Sequence, residues 1–221
     1  MRIILVFALA FVVSFSAFAV TDSGAEGSPS SGCAPLVDGT GDAGLTTQFA
    51  SDNNYAGNSF DIVGTQQIIL DGFDINLDNA DLSEFTIDIY YREGTAYGYE
   101  TSAAGWNLLS SQVITASGVD VPSHVDINDT DAITIEAGET VGFIITAQEA
   151  VSGIGGFMYT NGGPNTYSDA FIDIVTYCGL PQGFPPASTF VFRSWNGTVY
   201  YWYGTALERR TWGSIKVGYS E

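Results

Sequence analysis

With 221 residues, 25 acidic against 6 basic side chains and a net charge of −19, the chain is long enough for one large all-β domain. It is too acidic to hold nucleic acid or anionic lipid, both of which are bound through Lys and Arg. Its single histidine excludes a His-based metal cluster, and its two cysteines allow only one disulfide pairing.

Residues 1–19 hold one Arg, an unbroken apolar run and then Ala17-Phe18-Ala19, the pattern of a secretory signal peptide with an A-x-A cleavage site. The run is short for a membrane span, and no later stretch is apolar enough to form one. The expected product is therefore secreted, extracellular or associated with a cell surface, without membrane insertion. Residues 20–44 are rich in Gly, Ser, Asp and Pro, lack an apolar period and read as a flexible leader that becomes ordered near Cys33. In an oxidising compartment Cys33 is expected to pair with Cys178. Chain-entropy reasoning gives such a long loop ~4–5 kcal/mol, which strain often reduces.

Residues 45–221 read as a single domain of short alternating runs broken by Gly, Asn, Asp and Pro. Phe73, Ile75 and Leu77 share one side of a strand within residues 66–77, and Phe85, Ile87, Ile89 and Tyr91 share one side of residues 84–92. Further strands are expected at 106–115, 119–127, 132–136, 141–147, 156–159, 170–177, 190–195, 198–203 and 211–219. No 3.6-residue period persists for three turns. The pattern predicts a two-sheet antiparallel β-sandwich of the jelly-roll kind. At Asn196-Gly197 two aromatic runs meet around the strongest short-range hairpin signal. A two-residue turn there would place Phe190, Phe192, Val199, Tyr201 and Tyr203 on a core face. Val191, Arg193, Trp195, Tyr200 and Trp202 would then share the opposite face.

Several segments carry a resemblance. Gly57-Asn58-Ser59-Phe60-Asp61-Ile62, Phe73-Asp74-Ile75-Asn76-Leu77-Asp78, Ile89-Tyr90-Tyr91-Arg92-Glu93-Gly94, Gly105-Trp106-Asn107-Leu108-Leu109, residues 135–143, Tyr159-Thr160-Asn161-Gly162 and Arg193-Ser194-Trp195-Asn196-Gly197 are the ones concerned. Together, over roughly residues 45–203, they resemble an uncharacterised bacterial secreted β-sandwich module found in exported proteins, often ahead of a C-terminal sorting signal. The resemblance implies a sandwich fold and carries over no functional residues. The chain ends Lys216-Val217-Gly218-Tyr219-Ser220-Glu221, without the apolar tail and basic cluster of the anchored members, so anchoring is not expected.

Chemistry in the sequence is sparse. Ser123 and His124 are neighbours on a strand and so point to opposite faces, which does not make a dyad. No G-x-S-x-G elbow is present. Many carboxylate pairs exist, but no strand clusters them as a glycosidase would. Calcium takes several oxygen ligands, and Asp126, Asn128, Asp129 and Asp131 pack such ligands into one short loop, where a structural Ca²⁺ competes with ordinary solvated turn residues. Asp74, Asn76 and Asp78 read as a solvated strand face. Arg193, Trp195, Tyr200 and Trp202 form the best ligand-binding candidate, because sugars stack on flat rings while Arg bonds their hydroxyls. The competing reading packs Arg193 by cation–π contact beneath a neighbouring strand.

These features lead to the expectation of a secreted, non-enzymatic binding or adhesion module for an extracellular glycan or matrix component. The alternative is a self-associating structural subunit of an extracellular matrix or filament, and a polysaccharide hydrolase stands third.

Overall fold

The computed structural model describes residues 41–128, 130–150 and 156–204. The chain order is β1 (Gly41–Thr46), β2 (Asn53–Tyr55), β3 (Gly57–Gly64), β4 (Ile68–Asn76), β5 (Glu84–Glu93), β6 (Asn107–Thr115), β7 (Pro122–Asp126) and β8 (Thr134–Ile135). It continues with β9 (Thr140–Ala147), β10 (Phe157–Asn161), β11 (Thr166–Ser168), β12 (Ile172–Leu180), β13 (Phe190–Val191), β14 (Arg193–Trp195) and β15 (Gly197–Tyr203). Among the described residues there is no helix, so none is long and apolar enough to cross a membrane. The expected strand at 211–219 lies outside them.

The strands form antiparallel sheets packed as an all-β sandwich. One layer runs β11-β12-β3-β9-β5-β6, with β13 also paired to β12, and the other runs β1-β15-β4-β7, with β8 also paired to β4. A third, three-stranded sheet, β14-β10-β2, is an addition to the two expected. β1 begins inside the stretch read as leader: Gly41–Thr46 pairs along Thr198–Tyr203, so ordered structure starts before Leu45. The segment had looked disordered because it holds few apolar residues; its order comes from hydrogen bonds to a partner far along the chain.

Alternation explains the core. Phe60 and Ile62 on β3, Phe73 and Ile75 on β4, Phe85, Ile87 and Ile89 on β5, and Phe143 and Ile145 on β9 are all fully buried and belong to one cluster. At ~1.5–3 kcal/mol for each large side chain, this cluster supplies most of the driving force. The opposite rows of the two layers face away from that cluster and carry the polar and aromatic groups considered next.

Candidate functional site

Asn196-Gly197 does not turn a hairpin. β14 pairs with β10, matching Trp195 to Tyr159, whereas β15 pairs with β1 and β4, so the chain passes from one sheet to another at Asn196. Trp195 is fully buried: its ring stacks on Phe60 at 4.2 Å and 10° and meets Phe73 edge-on at 6.2 Å. Gly197 is required by close approach and not by a turn, since a Cβ there would lie 2.1 Å from the Trp195 Cζ2 and 2.5 Å from the Asp74 carbonyl oxygen.

The expected platform is therefore not assembled. Trp195 is core, and half-buried Arg193 on the same strand donates from Nη1 to the Val191 and Phe192 carbonyls at 3.0 and 3.1 Å. Its guanidinium is 5.9 Å from the Phe190 ring. Tyr200 and Trp202 lie on the outer row of β15, in another sheet; Trp202 is only 5% exposed, and Tyr200 donates its hydroxyl to Asp74 Oδ2 at 2.7 Å. The expected core row holds for Val199, Tyr201 and Tyr203 but fails at Phe190, which packs on Tyr55 outside the core cluster, and at Phe192, which is 46% exposed. Phe192 adopts a φ of 60°, which breaks the alternation between β13 and β14.

Around Tyr200 the outer face gathers His124, Asp74 and Asp126. His124 Nδ1 is 2.8 Å from Asp74 Oδ1, and its Nε2 is 3.1 Å from Asp126 Oδ1. Only an imidazolium can donate to both carboxylates. Partial desolvation lowers the His124 pKa, but the hydrogen bonds and charges of Asp74 and Asp126 outweigh it and hold it above the ordinary value. Asp74 and Asn76 are buried, which corrects the reading of a solvated face: Asp74 serves His124 and Tyr200, and Asn76 bonds Asp120.

In the expected calcium loop, Asp126 is turned to His124, Asn128 and Asp131 are exposed and joined by an Asp131 N–H to Asn128 carbonyl bond of 2.8 Å, and Asp129 lies outside the described residues. Among the described residues no group of three or more His, Cys, Asp or Glu is placed to hold a metal ion. Cys178 is a buried thiol, pushed up to about 11 by burial and then by the charge of Glu100. Its expected partner, Cys33, lies outside the described residues.

A different aromatic surface sits on the larger sheet. Across β3, β9 and β5 the register aligns Asp61, Gly142 and Arg92 on the outer face. Gly142 leaves room for loop 94–106 to lie on the sheet, because a Cβ there would come within 2.5 Å of the Ala96 nitrogen. Two buried acids pin the loop. Asp61 accepts the Ala96 N–H at 2.7 Å and the Tyr177 hydroxyl at 2.9 Å; Glu100 accepts the Gly98 N–H at 2.8 Å and the Ser59 hydroxyl at 3.1 Å. Burial holds the Asp61 carboxyl above the usual carboxylate range despite these donors, with the Glu100 charge adding to the rise. Tyr177 is pushed up to about 12, by burial and then by the charge of Asp61.

Above these acids the Arg92 guanidinium lies 3.5 Å from the Tyr99 ring centroid and 5.7 Å from that of Trp106. Trp106 donates its indole N–H to the Tyr99 carbonyl at 3.1 Å. Phe184 reaches over from the loop after β12 to contact Tyr90 and Trp106, and Tyr97 leans on Tyr177 at 5.2 Å. Tyr97 and Tyr99 remain 50% and 49% exposed. The sequence signal for this surface was Tyr97-Gly98-Tyr99 in a glycine-punctuated loop between Arg92 and Trp106, which alternation along strands passes over.

No family model matches the sequence, and none of the curated proteins matches it.

Chemically, this surface offers two half-open rings, a cation over one of them, and carboxylates beneath that are already engaged by the loop. A cation–π contact of this kind contributes about 0.5–2 kcal/mol and favours the observed placement of the Tyr99 ring. Ser123 is buried and His124 exposed, so the neighbouring pair does face opposite ways.

Proposed function

We propose that this protein is an exported, non-enzymatic binding module for extracellular carbohydrate. Its binding surface is the Tyr97, Tyr99, Trp106 and Arg92 group. The observation that carries the reading is the pair of half-exposed tyrosines fixed on a braced loop beside an arginine: sugar C–H faces stack on such rings, and a guanidinium bonds hydroxyls. The net charge of −19 selects against acidic polysaccharides, so the ligand class is neutral glycans. The export pattern of residues 1–19 supports an extracellular partner.

The test is retention of the full chain on insoluble neutral polysaccharides and titration with their soluble oligosaccharides. The Tyr97→Ala/Tyr99→Ala double variant is expected to lose at least about tenfold in affinity, the effect of about 1.4 kcal/mol. Trp202→Ala is expected to bind as the parent does, since that ring is buried on another sheet. Equal retention of the double variant and the parent rejects the surface, and release of reducing ends in the same incubations would point to the hydrolase instead.

A further inference from the structure

The larger sheet ends on β6, a nine-residue strand, Asn107-Leu108-Leu109-Ser110-Ser111-Gln112-Val113-Ile114-Thr115, whose only strand partner among the described residues is β5. It is the longest edge strand among them, and it carries no charge, proline or glycine. Edge strands are ordinarily protected by charges, proline, short length or bulges; the one such device on β6 is a bulge at Leu109, which leaves Ser110–Thr115 in regular register with β5. The other long edges are protected here: β1 carries Asp42, and β7 carries Pro122, His124 and Asp126. On β6, by contrast, Leu108 is 56% and Val113 66% exposed.

We propose that β6 is a self-association edge, pairing antiparallel with β6 of a second copy and extending the sheet across a twofold axis. Charge favours a second copy approaching through this strand, because two molecules of net charge −19 repel elsewhere and β6 is neutral along its whole length. Self-complementarity favours it as well. Ser111, Val113 and Thr115 are cross-strand partners of Asp88, Thr86 and Glu84, which places all three on the outer face. In the register that sets Val113 against its own copy, Ser111 stands opposite Thr115 on each side, so an apolar pair is flanked by two hydroxyl pairs. Both kinds of cross-strand pair are favourable. A twofold axis normal to the sheet leaves the two 94–106 loops on the same side of the joined sheet. Backbone pairing on a single edge makes a small interface, so the dimer is concentration-dependent and not obligate. Each copy carries a net charge of −19, so added salt, by screening the repulsion between them, strengthens the dimer.

Sedimentation velocity of the full chain, without glycan, from low to several hundred micromolar and in low and moderate salt, tests this. The expected result is a monomer that shifts to a dimer with concentration, more so at moderate salt. Val113→Lys is expected to abolish the shift without lowering the unfolding midpoint. Val113→Cys is expected to form a symmetric interchain disulfide, since directly opposed strand residues lie within disulfide reach. A strict monomer over the whole range overturns the proposal and leaves β6 to a foreign strand or to none. A dimer that survives Val113→Lys undiminished, or a Val113→Cys protein that forms no interchain bond, overturns it too. Because no carbohydrate is present, failure here is distinct from failure of the binding surface.

Discussion

Replacing Trp195 separates a core ring from a surface ring. As a surface platform, Trp195→Ala would change stability by less than about 0.5 kcal/mol and would abolish binding. As the fully buried ring stacked 4.2 Å from Phe60, it costs about 3–5 kcal/mol through lost burial and the cavity left between the sheets. For a domain of this length that lowers the melting temperature by roughly 6–20 °C. A second substitution sharpens the argument. The Trp195 indole nitrogen is buried without a hydrogen-bond partner, and such a group carries a penalty of about 1–3 kcal/mol. Trp195→Phe keeps a ring against Phe60 while removing that donor, so the two effects offset and its stability is expected within about 1 kcal/mol of the parent. Urea unfolding monitored by far-UV circular dichroism measures both, with the slope compared to confirm a common transition. A Trp195→Ala loss below about 1 kcal/mol, or a Trp195→Phe loss as large as that of the alanine variant, refutes the assignment of this ring to the core.

Gly197→Ala tests the same junction from the other side: a Cβ 2.1 Å from the tryptophan ring and 2.5 Å from a backbone carbonyl is expected to cost about 2 kcal/mol or more, read by urea midpoint. His124 should leave a pH signature. Its folded pKa is raised, so its favourable contribution is complete below the unfolded value of about 6.5 and is lost as pH rises through the folded pKa. The melting temperature of the parent minus that of His124→Ala is therefore expected to shrink from pH 5.5 to pH 8.5, and a constant or growing difference contradicts the two-carboxylate clamp. Asp120 has the opposite sense. Partial desolvation raises its pKa, but hydrogen bonds from the Ser51 N–H and hydroxyl and the Asn76 amide outweigh it and leave it lowered. Its contribution is present above the ordinary carboxylate pKa and lost as pH falls, so Asp120→Ala destabilises at neutral pH and matters progressively less in acid thermal scans.

Much of the sandwich was legible because alternation is a local property: a residue's side of a strand follows from its neighbours two positions away. Val199, Tyr201 and Tyr203 were assigned to the core from spacing alone, as were Phe85, Ile87 and Ile89. Asn196-Gly197 misled because glycine serves two purposes that look the same in sequence. It can permit a turn, or it can vacate space for another group, and here the occupants are the Trp195 ring and the Asp74 carbonyl. The tyrosine–arginine surface was illegible for a related reason. Arg92, Gly142 and Asp61 are separated by dozens of residues and become a row only through strand register.

The sequence by itself determined the all-β class, the approximate strand positions and which residues of a regular strand share a face, since two-residue periodicity and chain breakers act over a few positions. Tertiary structure decided which strands are neighbours. That choice sealed Trp195 between layers, left Tyr97 and Tyr99 half open and placed uncharged β6 on an edge, because pairing and burial depend on contacts between residues far apart in the chain.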